Sequence, residues 1–96
     1  MTLKDRYNLD NLGNRSQELV FQAIEALIDH GTTMCICEEC ITDLAAWTLN
    51  HVAPRYYTSL LAPLTPDATR ERQYQVEIEL ALAAGVKKLK EHPHHT

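Results

Sequence analysis

Apolar residues recur at intervals of three and four from Leu19 onward. Leu19, Val20, Ala23, Ile24, Leu27 and Ile28 fall on one stripe, with Glu18, Gln22, Glu25 and Asp29 on the other side. That period belongs to an amphipathic helix. Asn14 supplies an N-cap, Gln17 stands three residues on as in a capping box, and Gly31 after His30 is a C-terminal stop. A second stripe of Ile41, Leu44, Ala45, Thr48, Leu49 and Val52 predicts a helix from about Glu38 to His51. Glu38 and Glu39 suit the positive end of its dipole, and Pro54 ends it. A third helix starts at Thr65 as N-cap, with Pro66 at the first position and Asp67 in the first turn. It runs to about Glu91, ~39 Å at the usual rise, which is longer than a core of this size requires. It carries two stripes, Ile78, Leu82, Val86 and Leu89 beside Val76, Leu80 and Ala83. Two stripes predict burial on two sides, one against this chain and one against a copy of it. Residues 53–64 join the second and third helices. Within them Arg55 to Thr58 reads as extended, and Leu60, Leu61 and Leu64 are apolar enough to pack. Residues 1–13 show no period and read as a flexible arm, either a solvated tail or one with Leu9 or Leu12 against the body.

The expected fold is therefore all-α: a small three-helix domain over residues 14–96, forming a helical homodimer. With 96 residues, 45% hydrophobic and 23% charged, the chain makes one ordinary globular domain. A chain of this length buries only ~60% of its unfolded surface, so a metal or a partner subunit is the usual reinforcement. The formal charge of −4 argues against a binder of polymeric nucleic acid. No apolar run approaches the ~20 residues of a membrane span, and the N-terminal residues lack an apolar signal region. The expected location is the cytoplasm, where thiols stay reduced.

All three cysteines lie in Cys35-x-Cys37-x-x-Cys40. Cys37 and Cys40 are three apart at a helix start, and Cys35 approaches from the preceding turn. Clustered soft thiolates at a helix N-terminus point to zinc, which would pin the turn. Zinc takes four ligands, so the fourth is a histidine, a carboxylate, water or a residue of another chain. His95 in the tail is the favoured donor, with His94 and His92 as substitutes. A structural site is favoured over a catalytic zinc using Glu38 or Glu39 as base, over a thiol redox pair at Cys37 and Cys40, and over idle thiols. No nucleophile–base arrangement, phosphate-cradling glycine loop or carboxylate pair stands out, so no enzyme activity is expected.

The cysteine cluster, the segment Asp43-Leu-Ala-Ala-Trp-Thr-Leu-Asn50 after it and Pro54-Arg55-Tyr56 together resemble the late competence protein ComFB family. Asn14 with Glu18-Leu19-Val20, and the closing His92-Pro93-His94-His95, resemble the family's ends. The resemblance spans roughly residues 14–95. It implies a small helical homodimer, a zinc site in members that keep the cysteines, and binding of cyclic di-GMP or cyclic di-AMP in some members. The family's fourth zinc ligand can be a cysteine, and this chain has no fourth cysteine.

A cyclic dinucleotide asks for Arg to pair with phosphates or guanine edges and for flat side chains to stack on. Between Trp47 and Tyr74 every basic residue is Arg: Arg55, Arg70 and Arg72. The candidate contacts are Arg55 first, then Tyr56, Tyr57, Asn50, Thr58, Arg70 and Arg72. Most have a plainer role available: one of the adjacent tyrosines is buried, Asn50 caps its helix, and Arg70 and Arg72 line a solvated face, while Trp47 belongs to the core. The expected function is a non-enzymatic, zinc-stabilised regulatory module that binds a cyclic dinucleotide and signals to a protein partner. The alternative is a zinc-containing adaptor that binds protein alone.

Overall fold

The computed structural model describes residues 1–61 and 68–91. Three long helices account for most of them. In chain order the elements are α1 (Leu3–Arg6), β1 (Gly13–Asn14), α2 (Arg15–His30), α3 (Glu38–Asn50), β2 (Tyr56–Tyr57) and α4 (Ala68–Glu91). The helices α2, α3 and α4 are the three that the apolar period predicts. Each packs against the other two.

Local chemistry sets their ends. The Asn14 side chain accepts the Ser16 amide at 3.0 Å and so starts α2. Gly31, at φ 89°, donates its amide to Ile28 at 3.1 Å and turns the chain away, a conformation that a side chain would resist. Cys37 occupies the N-cap of α3, and the helix stops at Asn50, where the His51 amide returns to the Thr48 carbonyl. The predicted cap residues Thr65, Pro66 and Asp67, and Leu64 before them, lie outside the described residues.

The core is built from Leu19, Val20 and Ile24 of α2, Leu44 of α3, Ile78, Ala81 and Leu82 of α4, and Met34, Cys40 and Val52 at the junctions. Val86 and Leu89 extend it along α4. At Gly85 the α4 backbone comes close to side chains of α3. A Cβ there would sit 2.9 Å from Trp47 Cε3 and 3.1 Å from Leu44 Cδ1. The second α4 stripe does face outward: Val76 is 48% and Leu80 70% exposed, and Ala83 is exposed as well.

Two features depart from the sequence expectation. First, the fold is mostly helical but not purely so. Arg55 to Thr58 is extended as predicted, and Tyr56 and Tyr57 pair antiparallel with Asn14 and Gly13. A two-residue ladder is too short to leave an alternation in the sequence. It forms because the Arg15 amide also donates to the Arg55 carbonyl at 2.8 Å, so the chain just before α2 is clasped to the chain before α4. Second, the arm contains a helical turn, α1, closed by a capping box between Thr2 and Asp5. Neither Leu9 nor Leu12 is tucked against the body, since both are exposed. Leu60 and Leu61 are exposed too.

Candidate functional site

The turn from α2 to α3 brings the three thiols together. Their sulfurs all lie within 4.8 Å of one another. A tetrahedral zinc with bonds of about 2.3 Å places its sulfurs roughly 3.8 Å apart, so small side-chain rotations would close the cluster on an ion. Cys35 is exposed, Cys37 half-buried and Cys40 buried, and none is bridged. Burial, together with the hydrogen bonds its S–H donates to Cys37 and Cys35, pushes the Cys40 thiol up to about 12. A buried sulfur that resists ionising without a cation, beside two further sulfurs, is the donor set of a soft-metal site. The cluster can hold a metal ion. His95, the favoured fourth donor, lies outside the described residues, as do His92 and His94.

The second concentration of polar chemistry surrounds Arg55, which leaves the Pro54 bend and enters β2. One guanidinium nitrogen donates to Ser16 Oγ at 2.7 Å and to the Ala53 carbonyl at 3.1 Å. The other donates to Glu77 Oε2 at 2.6 Å. The guanidinium carbon stands 3.7 Å from the centre of the Tyr74 ring. Ser16 is fully buried, and its hydroxyl donates a hydrogen bond to the Ala53 carbonyl at 2.6 Å. The other Glu77 oxygen accepts the Ala53 amide at 2.9 Å. Burial alone would raise the Glu77 carboxyl. The Ala53 amide and the Arg55 guanidinium outweigh it and hold the group below its usual range. The Arg55 amide donates to Asn14 Oδ1 at 3.1 Å, so one asparagine oxygen serves both the α2 cap and the loop.

A parallel chain of contacts runs beside this hub. Arg15 donates to Glu71 at 2.7 Å and to Glu18 at 3.3 Å, and the Glu71 bond chiefly raises its already high pKa. The Tyr57 hydroxyl donates to Glu18, which pushes the phenol up. The Tyr57 ring packs against Gly13, where a Cβ would sit 2.5 Å from Cζ.

The predicted contacts thus sort into two groups. Arg55 and Tyr57 are joined to α2 and α4 as ties of the fold, and Thr58 accepts the Leu61 amide at 3.0 Å. Tyr56, Asn50, Arg70 and Arg72 are exposed. Arg70 and Arg72 flank Glu71 on the first turns of α4, and Asn50 is the last residue of α3. Trp47 is half-buried and stacks on His51, with ring centres 3.7 Å apart. Sequence reasoning did not single out Ser16 or Glu77. The only trace of Glu77's role is its i+3 spacing from Tyr74 on α4, and Arg55 is 22 residues away from it.

Neither curated proteins nor solved structures include a match to the chain. The family model for late competence development protein ComFB matches residues 13–93, from the β1 residue under the Tyr57 ring through the whole of α4. With that match over most of its length, and the cysteine turn and Pro-Arg-Tyr segment in place, the chain belongs to the late competence development protein ComFB family.

Proposed function

We propose that this protein is a non-enzymatic regulatory module of the cytoplasm. It works as a homodimer stabilised by zinc on Cys35, Cys37 and Cys40, binds a cyclic dinucleotide, and signals to a protein partner. The observation that carries the ligand reading is the end of the bundle where α2, β2 and α4 meet. In a chain of net charge −4, Tyr56 of β2 and Arg70 and Arg72 on the first turns of α4 are exposed there, and Arg55 stacks half-buried on the Tyr74 ring. Guanidinium groups beside flat rings suit a planar dianion. Convergence of the sulfurs supports the zinc. The exposed Val76, Leu80 and Ala83 stripe of α4 supports the dimer, because large apolar side chains aligned on one helix face are costly to leave in water.

Calorimetry of the purified protein with cyclic di-GMP and with cyclic di-AMP tests the ligand reading. Saturable binding of one of them, weakened by Tyr56→Ala and by Arg72→Ala, is the expected result. Flat titrations with both would overturn it and leave the adaptor reading, which the internal engagement of the Arg55 guanidinium favours. Sedimentation tests the dimer: Leu80→Glu should convert it to a monomer, and a wild type already monomeric at micromolar concentration would refute it.

A further inference from the structure

The cysteine turn has a grading that metal binding alone does not call for. Cys35 is exposed, Cys37 is half-buried at the N-cap of α3, and Cys40 is buried as part of the core cluster that includes Met34 and Leu44. The three sulfurs are near enough to react with one another, not only with a shared ion. We infer that the cluster is a peroxide-responsive switch, in which Cys37 and Cys40 become an intramolecular disulfide and the cation is expelled. This rests on the metal reading above.

The pair follows from position. Cys37 and Cys40 stand three apart at the start of a helix, the Cys-x-x-Cys spacing of reversible disulfides. Cys35 and Cys37 are separated by one residue in non-helical chain, where a disulfide would close a smaller, more strained ring. Cys37 is open to a small oxidant, whereas Cys40 is shielded and positioned to resolve. Metal-bound sulfurs are already thiolates, the nucleophilic form.

The steps balance. The Cys37 thiolate attacks one oxygen of hydrogen peroxide, the O–O bond breaks, hydroxide leaves and a sulfenic acid remains. The Cys40 thiolate then attacks the Cys37 sulfur, the S–O bond breaks, a second hydroxide leaves and the S–S bond forms. The two sulfurs give up two electrons and peroxide takes them. Of the three sulfurs only Cys35 would then remain able to hold a cation, too few donors to retain it. Because Cys40 packs in the core at the α2–α3 junction, the change is felt in the packing of both helices. A dithiol reductant and fresh metal reverse it.

The test uses the full chain as purified with zinc. Elemental analysis reads the starting metal. Hydrogen peroxide is then titrated in with a chromogenic zinc chelator present, followed by thiol alkylation and peptide mass mapping. The expected result is zinc release in step with the loss of two alkylatable thiols, a Cys37–Cys40 link, Cys35 still alkylated, and recovery with dithiothreitol plus zinc. Cys35→Ser should keep the link. Retention of all three thiols under excess peroxide would overturn the switch, and so would a link through Cys35 or irreversible oxidation to sulfinic acid. Absence of metal before peroxide would overturn the metal reading instead. Protein that was purified without metal would then be loaded with zinc before peroxide, so that the mapped link still reports on the thiol pair.

Discussion

Replacing Arg55 by alanine should damage the fold before it damages any ligand site. The guanidinium makes three hydrogen bonds, to Ser16, Ala53 and Glu77, and lies over Tyr74. Not all of that is lost in full. The Ala53 carbonyl keeps the Ser16 hydroxyl, and Glu77 keeps the Ala53 amide. The Glu77 bond is charge-assisted, but the two side chains are 20% and 34% exposed, so its worth is discounted for solvent screening. With that ion pair, two screened bonds from the guanidinium to the neutral Ser16 and Ala53 oxygens and a partly shielded cation–π contact, the variant should lose about 2–3 kcal/mol. For a domain of this size that lowers the melting temperature by roughly 10–20 °C. Urea unfolding followed by circular dichroism measures the loss. A double-mutant cycle with Glu77→Gln should return a coupling of about 1 kcal/mol, since the two groups touch. A loss under about 0.5 kcal/mol would refute the reasoning, because it would mean the hub is a solvated ornament. The variant's ligand affinity is interpretable only at a temperature where it is folded.

Three further outcomes follow from the same contacts. Gly85→Ala should cost about 1–3 kcal/mol by overpacking, because its new methyl would press on the Trp47 ring and Leu44, and thermal melts would show it. The Glu77 carboxyl is held below its unfolded value, so its contribution is fully present above that value, about pH 4.3, and fades as pH falls through the lower folded value. Wild type should therefore exceed Glu77→Gln in stability at neutral pH, and the gap should shrink in acid; a gap constant from pH 7 to pH 3 would contradict this. Removing metal with a chelator should lower the melting temperature, and zinc should restore it while magnesium should not, given three sulfur donors.

Much of this molecule was readable from residue order. The three long helices follow from apolar period, and the stops of α2 and α3 from Gly31 and Pro54, because these are local effects of a few neighbouring residues. The cysteine turn was legible for the same reason: three ligands within six positions cannot lie far apart. The outward stripe of α4 was visible as a second apolar line. The Arg55 hub was not legible. Its partners come from Asn14 and Ser16 on one side and from Tyr74 and Glu77 on the other. No periodicity links those positions, and Arg55 without a nearby acid looked available to a ligand. The β1–β2 clasp is likewise a meeting of distant segments, held by a ladder two residues long.

Sequence by itself determined where helices form, which face of each is apolar, and that three sulfurs would converge. Tertiary structure alone decided which charges are spent inside the fold, since an ion pair between remote residues exists only once packing has brought them within hydrogen-bond reach.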